Sequence, residues 1–198
     1  MSVRYFDLHT HRMTSAEDVF ALVQNVHTQG IHPADIREDS VIDLQPGALA
    51  VGECGLDCMC GVAMDVQERI FRQQIALSEA HHLPLILHCV KALDDVLRLR
   101  RTLRPSEPWV FHGFRGKPQQ LNSLIASGCY VSFGPKYNPE SLRACPIEHL
   151  FLETDDSGCT INDVYVSVAE CLRIQLSDLQ HQLLLNAARL HLLPSASL

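Results

Sequence analysis

The chain has 198 residues, 46% hydrophobic and 20% charged, with 16 basic against 23 acidic side chains and a formal net charge of −7. These values exclude a disordered, collagen-like or coiled-coil chain. They also argue against a broad basic surface for coating nucleic acid. The unusual counts are 11 histidines and 8 cysteines.

The N-terminal run MSVRYFDLHTHRM is broken by polar groups and lacks the apolar core of a signal peptide. No stretch reaches the roughly 18 apolar residues of a membrane helix, so a cytoplasmic, membrane-free protein with reduced cysteines is expected. Cys54, Cys58 and Cys60 have no second pair at zinc-ribbon spacing and read as ordinary thiols.

In chain order, residues 4–9 read as a strand. Residues 20–26 are a second candidate, ambiguous with a helix. Strands follow at 49–53, 85–89, 109–112, 129–133 and 150–154. Helical spacing of apolar residues predicts helices over 65–81, 92–103, 118–127, 164–174 and 177–191. Pro118 suits a first helical position. Ser177 and Gln180 have the spacing of a capping box.

Strands alternating with helices imply α/β units around a parallel sheet. Seven strand candidates nearly make a barrel, though a full (β/α)8 barrel takes about 250 residues. The stretch between His11 and Leu49 is too short for two complete strand–helix units. The expected architecture is one domain over 1–198. It is a TIM-barrel-like α/β fold of about seven parallel strands, open or poorly closed near the second unit. A covering helix or a dimer contact would protect the open edge.

The strand ends share a chemistry. The first ends in Asp7-Leu8-His9-Thr10-His11, the third contains Glu53, the next two end at His88 and His112, and the last ends Glu153-Thr154-Asp155. In a parallel barrel these ends lie on one face, where active sites sit. Four imidazoles and two carboxylates exceed the needs of one tetrahedral ion and suit two divalent ions. Imidazole-rich sets suit zinc, manganese, iron or nickel, while magnesium prefers oxygen ligands. The three lysines, Lys91, Lys117 and Lys136, each follow a predicted strand end, as do Arg12 and Arg115. Cations gathered there suit an anionic substrate.

Taken in order, DLHTHR, GIHP, GECGLD, LPLILHC, FHGFRG and ETD resemble the TatD family of metal-dependent deoxyribonucleases, within the amidohydrolase-type barrels. The resemblance implies a hydrolase that cleaves phosphodiester bonds in DNA or a small phosphodiester. It implies His9, His11 and Asp155 at one ion, His88 and His112 at the other, and Glu53 bridging. His32 would contact the substrate phosphate. Asp155 would accept or orient the proton of a water lying between the ions. The family's nucleases are described as magnesium-dependent, so zinc, magnesium and manganese all stand as candidates. Two departures touch phosphate contacts: Val90 stands where the family carries arginine, with Lys91 beside it, and Asp155 is followed by Asp156-Ser157-Gly158. The alternative is an amidohydrolase-type enzyme acting on a small molecule other than nucleic acid.

Overall fold

A computed structural model describes residues 3–37 and 39–194. The strands are β1 (Tyr5–Thr10), β2 (Val19–Val23), β3 (Thr28–Gln29), β4 (Ala50–Asp57), β5 (Leu85–Val90), β6 (Trp109–Phe111), β7 (Tyr130–Phe133) and β8 (Leu150–Leu152). The helices are α1 (Met64–His81), α2 (Leu93–Leu103), α3 (Pro118–Ala126), α4 (Pro139–Ala144), α5 (Ile161–Leu172) and α6 (Leu176–Arg189). No helix among the described residues is long and apolar enough to cross a membrane.

All pairings are parallel. β1 pairs with β2, and β3 to β8 form a six-stranded sheet in chain order. Single bridges join the two sheets, Gln24 to Thr28 on one side and Thr10 to Asp155 on the other. The ring is thus poorly closed near the second unit, as expected, and it has eight strands where seven were expected, because the two-residue β3 is too short to show a period. No helix separates β1, β2 and β3 among the described residues, and a groove of about 440 Å³ lies outside β1 and β2, lined by Tyr5, Asp7, Val19, Ala21 and Ile161.

Alternation along the strands sorts two apolar layers. Phe6, Leu22, Ala50, Ile86, Val110 and Phe151 pack together inside the ring, and Ala187, Leu190 and Leu192 from the end of α6 plug it. Residues of opposite parity, such as Val51, Leu85, Trp109, Val131 and Leu150, meet Phe71, Val96, Leu124 and Val168 on the surrounding helices.

The seam between β8 and β1 lacks a continuous ladder, and side chains patch it. The buried hydroxyl of Tyr165, on α5, donates to the Phe6 carbonyl at 3.0 Å and accepts from the Phe6 amide at 3.2 Å. Asp7 accepts from the Thr154 amide at 3.0 Å and the Thr154 hydroxyl at 2.6 Å. Burial pushes the Asp7 carboxyl up to about 7, against the opposing pull of these two bonds. Removing the Tyr165 hydroxyl strands two buried backbone groups. Tyr165→Phe is expected to cost about 1–3 kcal/mol of folding stability, read as a lowered denaturant midpoint at unchanged slope.

Three local expectations are revised. α6 begins at Leu176 after Gln175, with no side-chain cap, so Ser177 lies inside the helix and forms no capping box. α5 begins at Ile161, three residues before the predicted start, because Thr160 and Asp163 form the capping pair there. The short α4, capped by Asn138, has no counterpart among the predicted helices. Pro118 does occupy the start of α3.

Candidate metal centre

Placing Glu53 inside the ring requires β4 to break its alternation. The register of β4 against β5 shifts between Val51 and Cys54. Gly52 and Gly55 flank the break at φ of +156° and +135°. A Cβ on Gly55 would lie 2.1 Å from the His88 carbonyl oxygen, and one on Gly52 would lie 2.6 Å from that of Ile86. Only glycine permits this approach. A second irregularity, between Asp7 and Thr10 of β1, lies where His9 and His11 are delivered.

The two carboxylate oxygens of Glu53 face different partners. Oε1 lies 2.8 Å from His88 Nδ1, 2.7 Å from His112 Nε2 and 3.6 Å from His32 Nε2. Oε2 lies 3.3 Å from His9 Nε2 and 3.9 Å from His11 Nε2. Asp155 Oδ1 stands on that second side, 3.8 Å from His9 Nε2 and 3.5 Å from His11 Nε2. All six residues proposed as ligands from the sequence thus converge, and His32 joins them. Triads close enough to share one ion include His9–His11–Asp155 and His32–Glu53–His88.

Two further carboxylates complete the cluster. Asp57 Oδ2 accepts from His88 Nε2 at 3.1 Å, leaving Nδ1 for the interior. The buried Glu153 accepts from the Gly113 amide at 2.7 Å and stands 3.4 Å from His112 Nδ1, so His112 Nε2 faces Glu53. Each of these two imidazoles is held between an outer carboxylate and Glu53. Sequence reasoning assigns neither acid a role, although both lie in quoted motifs, the last position of GECGLD and the first of ETD. A polar residue at a strand end is a visible signal; which imidazole it orients is not. The Gln24 side chain accepts from the Glu53 amide at 3.0 Å and from the Thr28 hydroxyl at 2.8 Å, and no motif marks it.

The electrostatics are those of a compact charge cluster. Burial alone would raise the Glu53 carboxyl, but His112 and His88 outweigh it and hold it far below the ordinary carboxylate range. Burial would likewise depress His112, yet Glu153 and Glu53 raise it to about 10. His32 is lowered, chiefly by burial. Among the described residues, both ring nitrogens of His9 are buried without a hydrogen-bond partner, as is Glu153 Oε2 in the same cluster. The His9 Nε2 approaches two carboxylates at distances that lack hydrogen-bond alignment. A buried imidazole without partners is costly, and a cation among these oxygens and nitrogens would satisfy it. The donor set, imidazole nitrogens with carboxylate oxygens, fits a divalent ion.

Of the cations expected at the rim, Lys91 and Arg115 line a cavity of about 890 Å³ that includes His88, His112 and Asp155. Lys117, just before α3, and Lys136, in the turn after β7, are exposed and stand outside that lining. Arg12 turns aside to donate to the Asp156 carbonyl at 3.1 Å.

Fold and cluster together define a parallel α/β barrel with a histidine–carboxylate cluster at the strand C-termini that could hold metal. The chain belongs to the TatD related DNase family, whose model matches residues 6–191. It is 30% identical over 153 residues to the 3'-5' ssDNA/RNA exonuclease TatD of Escherichia coli K12, covering 65% of this chain and 56% of that protein. It is 30% identical over 161 residues to the deoxyribonuclease Tat-D of Schizosaccharomyces pombe, covering 68% and 52%. The chain thus spans about half the length of the curated relatives it matches. Among solved structures it resembles the TatD homologue YJJV of Escherichia coli K12, with a TM-score of 0.72 and 22% identity over 91% of this chain and 79% of that one. It also resembles an uncharacterized amidohydrolase of Saccharomyces cerevisiae, with a TM-score of 0.74 and 14% identity over 95% and 99%. The two structural likenesses bear on the fold.

Proposed function

We propose that residues 1–198 act as one divalent-metal-dependent hydrolase unit that cleaves phosphodiester bonds in DNA or in a small phosphodiester. The observation carrying this reading is the division of imidazoles around Glu53, with His88 and His112 on one oxygen and His9 and His11, themselves beside Asp155, on the other. His9, His11, Asp155 and Glu53 would hold one divalent ion; His88, His112 and Glu53 would hold a second. Zinc, manganese and magnesium are the candidate ions. Bound there, such ions acidify water and neutralise charge gathering on phosphoryl oxygens.

The chain's own groups have separable tasks. Asp155, partly open to solvent, accepts or orients the proton of the attacking water. His32 reaches the scissile phosphate from the Oε1 side of Glu53. Lys91, Arg115, Lys117 and Lys136 attract and seat the anionic strand. Water adds across one P–O bond, giving a phosphate monoester and an alcohol. A cytoplasmic setting belongs to the same reading, supported by eight unpaired cysteines.

The test is turnover of single-stranded DNA and of bis(p-nitrophenyl) phosphate by the purified chain, supplied with each candidate ion. Metal-dependent release from both is expected; no release from either with any ion overturns the reading.

Asp57 is a positioning residue in this scheme, since it fixes which nitrogen His88 turns inward. Asp57→Ala is expected to weaken metal binding about 10- to 100-fold, measured by calorimetric titration. Unchanged affinity would remove that role.

A further inference from the structure

Three sulfur-bearing side chains gather on the helix-facing side of β4 and β5. Leu56 of β4 and Cys89 of β5 are register partners. Leu56 and Leu87 belong to the apolar layer beneath the helices, and Cys89 and Met64 pack against that layer. Cys58 lies two residues beyond Leu56 and so falls on the same side of its strand. Its amide extends the ladder by donating to the Val90 carbonyl at 3.0 Å. Met64 is the first residue of α1. The Cys58 Sγ lies 3.9 Å from the Met64 Sδ and donates to the Lys91 carbonyl at 3.2 Å. Cys58 is exposed, and Met64 and Cys89 are half-buried, so the group can be reached from solvent. Cys60 stands apart: its Sγ donates to the Asp57 carbonyl at 3.3 Å and accepts from the Gln67 amide nitrogen at 3.1 Å.

The donors select the ion. Two thiols and a thioether are soft ligands, the kind that favour monovalent copper. Zinc takes thiolates, imidazoles and carboxylates. Among the described residues no metal-sized group of histidines, cysteines and carboxylates includes a cysteine. The nearest sulfur on Cys58 is instead a thioether. Two sulfurs bound to one ion at about 2.3 Å each stand no more than about 4.6 Å apart, so the Cys58–Met64 pair already spans an ion. Cysteine spacing alone conceals the arrangement, because one donor is a methionine and another comes from the neighbouring strand.

We propose that Cys58, Met64 and Cys89 bind one monovalent copper ion, in a soft-metal site separate from the histidine–carboxylate cluster. Copper displaces the thiol protons of Cys58 and Cys89 into solvent. Two thiolates and one thioether around the cation leave a single net negative charge. No electron is transferred, because copper enters as the monovalent ion. The ion ties the turn after β4 to α1 and to β5. The site is independent of the hydrolase reading and gives the chain a second binding activity.

The experiment titrates the chain, without oxygen and in excess manganese, with tetrakis(acetonitrile)copper(I) against the chromophoric chelator bicinchoninate. Manganese competes for the histidine–carboxylate cluster and leaves the sulfurs free. One copper per chain is expected to be held against the chelator, with only sulfur neighbours in its X-ray absorption spectrum. Cys58→Ser, Met64→Leu and Cys89→Ser should each weaken it by at least the roughly 10- to 100-fold that loss of an indirect partner costs a metal site. Cys159→Ser removes an exposed thiol elsewhere and should leave binding unchanged. On the unaltered chain, copper should slow alkylation of Cys58 by iodoacetamide and spare that of Cys159, read by peptide mass. This last measurement decides the site even where a variant misfolds. Copper lost entirely to the chelator, nitrogen in its coordination shell, retention by the double variant Cys58→Ser/Met64→Leu, or equal protection of Cys58 and Cys159 overturns the proposal.

Discussion

Glu53→Ala is expected to abolish phosphodiester hydrolysis, lowering kcat by about a thousandfold or more. The magnitude follows from the position of the side chain. Its two oxygens reach both halves of the cluster, with His88 and His112 at 2.8 and 2.7 Å on one side and His9 at 3.3 Å on the other. Truncation removes a negative charge and two ligand atoms at once, so neither half keeps a complete donor set. Because His112 also contacts Glu153, and His88 also contacts Asp57, both imidazoles retain an outer support. The variant should therefore fold. Glu53→Gln, which preserves shape and loses charge, provides a check through the same assay, with circular dichroism reporting the fold. Wild-type turnover in either variant would overturn the bridging assignment.

Metal addition should produce the second large effect, on stability. The cluster gathers three carboxylates, Glu53, Glu153 and Asp155, around His112 and His9, and among the described residues the buried ring nitrogens of His9 lack hydrogen-bond partners. An ion bound to the native state and not to the unfolded chain stabilises by about 4 kcal/mol at a thousand times its Kd. For a chain of this size each kcal/mol shifts the melting temperature by about 2–4 °C. A rise of roughly 8–16 °C with zinc or manganese, reversed by chelation, is the expected result in a thermal melt. His9→Ala should lose most of the rise. A melting temperature insensitive to zinc, manganese and magnesium would contradict the metal centre irrespective of any nuclease assay.

Some of this arrangement is legible in local patterns and some is not. Five helices follow from apolar spacing because each buries one face, and the strands read as short apolar runs because both of their faces are buried, which leaves residues 20–26 ambiguous with a helix. β3 escapes because two residues carry no period. α4 escapes because its single turn and a half rests on the Asn138 cap rather than on an apolar stripe. The candidate ligand residues are recognisable because a metal site needs imidazoles and carboxylates, and these stand at the ends of several strands at once. Asp57 and Glu153 are visible as strand-end acids, but their task depends on which imidazole nitrogen each one engages.

The alternation of strands and helices, the placement of His9, His11, Glu53, His88, His112 and Asp155 at strand ends, and the family to which the chain belongs are all readable from short segments taken one at a time. Each depends on near neighbours along the chain. Closure of the ring depends instead on contacts across long sequence separation. Tyr165 reaches Phe6, and Thr154 reaches Asp7, to seal a seam that backbone pairing leaves incomplete. The two-sided setting of Glu53 has the same origin. Gly52 and Gly55 let β4 press against the carbonyls of β5 and shift its register, and that contact between distant segments turns the carboxylate between two groups of histidines.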